Sequence, residues 1–582
     1  MVLVTTAIKE TFPENIDEKV LFLGEWCKDY HSKSIWGNRN YIVVDTYLKD
    51  REKFNRDHEY LEGFYERMLQ SLSNALNEYH NTNYPLRYWR IVLGHWLSSY
   101  ISAVWNRWES LRIAFDNHKF GKTYLISTAT TNRVPISHSD AFNLIDFDHL
   151  WNHRLYAKIL TNFYSSKIDF VDVSIGEIKN LKKRYNNNRV YTTKYIIASW
   201  FDKFLGKIIR NQKIIFVNSY FNFASLVRIS LKLKQIPRLY TEFDENLDMP
   251  EASSRSELVL HLDHKNEFEL FVLNNIISDI PISYIEGYGN ILERATYLFP
   301  DCKIIFTANA HLYNELFKVW CAERVNSGKK LIISDHGVTV AKYNNNFSHE
   351  DKISDLHVVW HRALNARQVQ MPPNILANRS TKRGSENNLA IIKVEYPLYV
   401  RQCASGTISS LTLDDYRQKI KFTRALDSNI REHIKIRIKS NNGKWNVKQR
   451  YINELGVERM SVQPTLMDEY NNSKIIVCTY PQTSFLEAMF SGVPTILLYK
   501  KEYWELHHEF DGLFKLLEDV NIVFSNPISA SNHINKVWKN PDIWWNSTEV
   551  KKAREKFFYE YGYIDSNWLN KWSVFLKKQL TN

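Results

Sequence analysis

The chain has 582 residues, 44% hydrophobic and 24% charged, a globular composition that excludes a disordered polypeptide. It is too long for a single core, and two or three domains are expected. Lys and Arg number 76 against 64 Asp and Glu; the net charge of +12 suits an anionic substrate or a membrane surface, but the cations form no long run, so no nucleic acid is expected.

The five cysteines are widely spaced, with no CxxC and no zinc-type spacing, a reduced cytoplasmic pattern. There is no signal-peptide core, and no uncharged apolar stretch of about 18 residues predicts a membrane span.

In chain order, residues 19–23 (KVLFL) predict a strand broken at Gly24. In a nucleotide-type α/β domain Glu25 and Trp26 would then face the central cleft; a plain turn is the competing reading. From 50 to 115 the pattern is helical, with Leu61, Phe64, Met68, Leu72 and Leu76 at three- and four-residue steps. The following stripe carries His95, Arg107 and Trp108. His95 is read either as a cleft residue or as a satisfied core histidine.

Residues 141–160 hold Asp146, Asp148, His149, His153 and Arg154 in one turn-to-helix segment. His149 and His153 have a metal-compatible spacing but no third ligand, which favours a substrate-facing polar patch over a metal site; a solvated helix start is the alternative. KIIFVNSYF (213–221), KIIFTANA (303–310) and KKLIISDHGV (329–338) predict buried parallel strands with helical crossovers. The last ends in Asp335-His336-Gly337, a titratable pair at a strand rim, where glycine permits close backbone approach. A surface turn is the alternative.

Residues 366–388, rich in Pro, Asn, Ser and Gly, read as a linker. Beyond it LAIIKVEYP (389–397) restarts a strand, and IKIRIKS (434–440) places Lys435, Arg437 and Lys439 on one strand face. KIIVCTYPQTSFLEAMFSGVPTILLY (474–499) predicts strand, loop, a helix from Phe485 capped by Thr483 or Ser484, a turn at Gly492 and a second strand. A helix N-terminus delivered by a strand is a place to hold phosphate, and Glu487 one turn inside could reach a ribose. Neither GxxxxGK[ST] nor GxGxxG occurs, which weighs against ATP hydrolysis and hydride transfer.

These pieces predict an α/β protein of two Rossmann-like domains with helical insertions and C-terminal bracing helices. The N-terminal domain would span 1–365 and carry the acceptor, 366–388 would be the linker, 389–545 would bind a nucleotide-sugar, and 546–582 would pack back as helices. Arg437, Lys439, Thr483, Ser484 and Glu487 would hold the donor.

FLGEWC, RYWRIVLGHWL with NRW, His336-Gly337 followed by Glu350, Asp351 and Asp355, GKWNVKQR, TYPQTSFLEAMFSGVPTI, YWEL and the late WW pair occur in order along nearly the whole chain. In this set the chain resembles a family of transferases from bacterial O-antigen and surface-polysaccharide loci. More distantly it is similar to metal-independent glycosyltransferases of the GT-B type, the nearest being those that use CMP-activated acidic sugars. There a basic residue after a strand and a Ser/Thr pair ahead of a helix hold the nucleotide phosphate, and an acidic-Gly motif supplies the base. Arg437 and Lys439 stand near the first element, Thr483 and Ser484 in the second, Asp335-His336-Gly337 in the third.

The resemblance implies transfer of a sugar from a nucleotide-sugar to a surface glycan, with Asp335 or His336 as base. If configuration is retained, Glu25 or Asp45 would be the nucleophile. Trp26, Asp45, His95, Arg107, His153 and Gly337 would line the acceptor cleft. No metal and no cofactor beyond the nucleotide-sugar co-substrate are expected. The expected partner is a glycan or lipid-linked glycan, met in the cytoplasm or at the inner face of the membrane. A nucleotide-sugar epimerase, a polyol-phosphate transferase and a non-catalytic glycan-binding scaffold remain open at this point.

Overall fold

The computed structural model describes residues 1–581 apart from 128–132, 175–192, 210, 245–247, 298–300, 338–345, 380–386 and 440–443. Its described strands form three five-stranded sheets, each parallel throughout. The fold class is α/β, as the alternation of apolar runs and helical periods predicts.

The first sheet comprises β1 (Val2–Val4), β2 (Val20–Phe22), β3 (Tyr41–Val43), β4 (Lys122–Ile126) and β5 (Asp169–Val173), in the order β3-β2-β1-β4-β5. The KVLFL run thus supplies β2, with β1 before it in the chain. Every residue of β1 and β2 is buried, because a parallel sheet covered on both faces needs continuous apolar runs. Between β3 and β4 the chain inserts two long helices, Arg51–Tyr79 and Leu86–Asn117, packed side by side. Asp50 caps the first by accepting from Lys53 N, and Leu61, Phe64, Met68, Leu72 and Leu76 form its buried stripe as the spacing predicts. The second also packs against the helix Glu315–Asn326 and so ties the first sheet to the next.

The second sheet comprises β6 (Asn211–Val217), β7 (Asp301–Thr307), β8 (Lys330–Ser334), β9 (Leu356–Val359) and β10 (Gln368–Gln370), joined edge to edge in sequence order. Residues 1–379 therefore carry two sheets where the sequence suggested one with an insertion. Strand runs announce burial but not partners, and the two long helices separate the sets. The expected linker also starts later: Gln368–Gln370 pairs with β9, and Asn374 donates through Nδ2 to Ser219 O at 2.5 Å. One face of this sheet, with Ile214, Phe216, Ile304, Phe306 and Ile332, is covered by Trp572 and Leu576 of the helix Trp568–Thr581. That is the bracing C-terminal helix, anchored by Trp572 Nε1 donating to Pro372 O at 3.1 Å.

The third sheet comprises β11 (Asn388–Val394), β12 (Ile434–Lys439), β13 (Ser473–Cys478), β14 (Thr495–Leu498) and β15 (Val523–Phe524), in the order β12-β11-β13-β14-β15. Strand order reverses between β11 and β13, so a crevice opens beyond their C-terminal ends. After β11 the chain runs back over the first domain. Tyr399 N donates to Asp146 O at 3.2 Å, and Glu25 N donates to Ser410 Oγ at 3.2 Å.

Candidate functional site

A cavity of about 390 Å³ lies at the C-terminal ends of β11 and β12, lined by Lys393, Arg437, Lys439, Lys448, Ser461 and Tyr480 among others. The Ile/cation alternation of β12 explains it: Ile434 and Ile436 are buried, while Arg437 and Lys439 keep access to solvent on the opposite face. Arg437 is steadied by donating to Gln463 O at 2.6 Å and to Pro464 O at 3.3 Å, and it lines the cavity. Lys393 is withdrawn from ligand duty, because its ammonium is buried in a pair with Asp415, which Lys419 also meets at 2.5 Å.

Three residues beyond Tyr480 the chain enters a helix, Thr483–Ser491. It begins two residues earlier than the sequence suggested. Gln482 takes the cap position without a side-chain cap bond, so neither Thr483 nor Ser484 is the cap. Gly492 at φ 76° ends the helix, a conformation that favours glycine. Ser484 is buried and its Oγ has no hydrogen-bond partner among the described residues. Burial raises the Glu487 carboxyl above its ordinary range, against the pull of Arg379, bound at 3.0 Å, and of Lys439. The helix start and the cationic strand face thus sit within electrostatic reach of each other at the crevice.

A second polar region occupies the C-terminal rim of β6, β7 and β8. Asp335 is buried: its Oδ1 stands 3.5 Å from His357 Nε2, and Asp351 Oδ1 lies 2.6 Å from His357 Nδ1. Burial works against charge on His357, but the two carboxylates, Asp335 and Asp351, prevail and raise its pKa to about 10. The group is an imidazolium held between two carboxylates, which leaves Asp335 little freedom to act as a base. His336 is half-buried, 6.0 Å from the Tyr220 ring between centroids. Burial lowers its pKa, opposed by Glu350 and Asp335, so it is neutral near pH 7. Gly337 is buried beside it. Val338 and Thr339, which follow, lie outside the described residues.

His95 lies on the inner side of this rim, buried, with Nε2 3.2 Å from Gln402 Nε2 and its pKa well below 6.5 through burial. The rim and the crevice of the third sheet are joined by one short segment. Tyr561 Oη donates to Pro481 O at 2.7 Å, Tyr563 N donates to Trp360 O at 2.9 Å, and Trp360 N donates to Asp335 Oδ2 at 3.4 Å.

Other expected site residues do not converge here. Arg107 is fully buried, with its guanidinium donating to Asn152 Oδ1 at 2.9 and 2.6 Å, to Ile145 O at 3.0 Å and to Val400 O. It is a structural staple between the long helix and the chain after β11, not a cleft residue. His153 is likewise core: Nε2 accepts from Ile126 N at 3.1 Å and Nδ1 meets Thr5 Oγ1 at 3.3 Å, with burial lowering its pKa to about 4. Trp26 is buried and donates to Thr5 O at 2.9 Å, its indole filling the space a Gly24 Cβ would need. Glu25 is spoken for by Lys28 at 2.8 Å, and Asp45 is an exposed partner of Lys49 at 2.8 Å.

Sequence reasoning gave no site role to Lys448 and Tyr480 at the cavity, nor to His138, His311 and His349 at the rim. A lone histidine carries no periodic signal, and these come from three separate helices. Among the described residues no group of three or more His, Cys, Asp or Glu is arranged to hold a metal ion, and no helix is long and apolar enough to cross a membrane.

Three solved structures illustrate what the chain is similar to. The wall teichoic acid polymerase TagF has 10% identity and a TM-score of 0.32, covering 67% of this chain and 96% of its own. MurG of Acinetobacter baumannii has 10% identity and a TM-score of 0.33, over 63% and 99%. WaaG, a glycosyltransferase involved in lipopolysaccharide biosynthesis, has 10% identity and a TM-score of 0.28, over 63% and 99%. No curated protein matches the sequence. The model of the LIC12162 family transferase matches residues 1–576, nearly the whole chain, with both polar regions inside it. The chain belongs to the LIC12162 family of transferases.

Proposed function

We propose that this transferase is a glycosyltransferase of GT-B type that takes a sugar from a nucleotide-activated donor and delivers it to a hydroxyl of a growing surface glycan. The observation that carries the reading is the cavity over β11 and β12, a set of reachable cations beside a helix start with no side-chain cap. Arg437, Lys439 and Lys448 would meet the nucleotide phosphate, and the first-turn N–H groups at Thr483 and Ser484 would supply neutral donors. Fixed charges and dipoles aimed at the leaving phosphate stabilise the charge that develops there, without a metal. The acceptor hydroxyl would enter from the rim of β8, where titratable side chains including His336 and Glu350 gather to take its proton.

The O-antigen or capsule class of glycan, a lipid-linked acceptor and a place at the cytoplasmic face of the membrane belong to the same proposal, supported by the resemblance in sequence. The test is a thermal-shift and calorimetry panel of CMP, CDP, UDP, GDP and dTDP, with and without EDTA. One nucleotide should bind regardless of EDTA, and should fail on the Arg437→Ala, Lys448→Ala variant. Absence of binding by every nucleotide would end the donor-site reading. Release of an altered nucleotide-sugar without any acceptor would replace transfer with epimerisation.

A further inference from the structure

Behind the β8 rim runs a file of imidazoles that the proposed donor site does not use. Glu350 Oε1 stands 3.7 Å from His311 Nε2. The ring of His311 lies 6.2 Å from that of His349, His349 lies 5.6 Å from His95, and His95 lies 4.9 Å from His138. Lys318 Nζ closes the inner end, 3.4 Å from His138 Nδ1. All four rings are buried, and among the described residues both nitrogens of His311 and of His349, His95 Nδ1, His138 Nε2 and Glu350 Oε2 have no hydrogen-bond partner. The file exists because Gly94 has no side chain: a Cβ there would stand 3.3 Å from His349 Cε1 and 2.7 Å from Tyr65 Oη.

Glu350 is the outer end of this file, with 15% of its side chain exposed, while the Asp335 side chain is 2% exposed and held by His357. Among the described residues both Asp335 oxygens have polar neighbours, while Glu350 Oε2 has none. We propose that Glu350 is the catalytic residue that takes the proton of the incoming hydroxyl, that His311 positions it, and that Asp335 serves to hold His357. This rests on the glycosyl-transfer reading. In the step, the acceptor oxygen bonds to the anomeric carbon as its proton passes to the Glu350 carboxylate. The bond from that carbon to the donor phosphate oxygen breaks, and its electron pair leaves with the nucleotide. Burial opposes charge on Glu350, but His311 beside it and the charged His357 hold its carboxyl well below the usual range, so it is ionised.

The experiment measures nucleotide release from UDP-glucose, UDP-N-acetylglucosamine, GDP-mannose, dTDP-rhamnose and a CMP-activated acidic sugar, with water standing in for the acceptor. It is run on wild type, Glu350→Gln, Glu350→Asp and His311→Gln. Glu350→Gln should bind the free nucleotide as wild type does and release it about 100-fold more slowly or worse, with partial recovery in Glu350→Asp. Glu350 faces His311, His336, His349 and His357, together with His95 and Tyr313 at longer range. Removing His311 raises the Glu350 pKa, so the acid limb of the rate profile should move to higher pH in His311→Gln, which a purely structural histidine would not do. Wild-type release by Glu350→Gln with binding intact overturns the assignment alone. Wild-type protein that binds a nucleotide but releases none from its sugar also overturns it. Wild-type protein that binds no nucleotide overturns the donor reading and this assignment together.

Discussion

The crevice of the third sheet and the rim of the second are both built where parallel strands end, yet they hold polar groups in opposite ways. At β12 the cations ride on a strand whose alternate residues are buried isoleucines, so Arg437 and Lys439 stay solvated and reachable. At the β8 rim the titratable groups have been drawn inside, where burial keeps His95 and His138 neutral while the carboxylate-flanked His357 is charged. Charge that must meet an incoming anion is left in contact with water, because a buried cation would need a permanent partner, as Lys393 has in Asp415. Groups that handle a proton gain from burial, which shifts their pKa values.

The sharpest way to separate the two regions is to disturb the rim alone. His357→Gln strands two buried carboxylates and should cost about 3–5 kcal/mol, read as a lower unfolding midpoint in denaturant. Its pH signature has a definite sign. His357 has a folded pKa near 10 against an ordinary 6.5, so its stabilisation is complete below pH 6.5 and is lost as pH rises toward 10. The buried imidazoles act oppositely. With His349 lowered to about 3, their contribution is complete above pH 6.5 and is lost as pH falls. Stability should therefore peak near pH 6.5. His357→Gln should flatten the alkaline side of that peak, and His349→Gln the acid side.

Disturbing the crevice alone should leave stability nearly unchanged. Arg437→Ala with Lys448→Ala removes two charge-assisted contacts and should weaken nucleotide binding about 100-fold by calorimetry. A Gly24→Ala change tests packing remote from both regions: the new Cβ would stand 2.2 Å from the Trp26 ring, and thermal unfolding should register a loss of about 1–3 kcal/mol. The smallest effect is expected at Asp45, whose side chain is 87% exposed. Asp45→Asn should match wild type in stability and in nucleotide release; a lost activity there would revive the nucleophile role that its position argues against.

The crevice was largely legible in the sequence, because it is made of local pattern. Ile/cation alternation placed Arg437 and Lys439 on one face, and the run from 474 to 499 announced strand, helix and strand with an error of two residues at the cap. The rim was legible only at Asp335-His336-Gly337. His95, His138, His311 and His349 lie far apart along the chain and meet only through the packing of the helix Leu86–Asn117 against the second sheet, which no period encodes. Arg107 and His153 were misread for a related reason. A polar residue on an apolar helix face signals either a cleft or a buried network, and only the partners of Arg107 (Asn152, Ile145 and Val400) decide between them. That residues 1–379 carry two sheets was hidden because strand pairing is a long-range property.

The most direct test of the donor site is photo-crosslinking with an azido analogue of whichever nucleotide binds, followed by peptide mapping. The label should fall on the peptides around 434–450 and 479–487. Label on the peptides around 308–320 and 346–362 instead would place the nucleotide at the imidazole rim and contradict the division of labour between the two sheets.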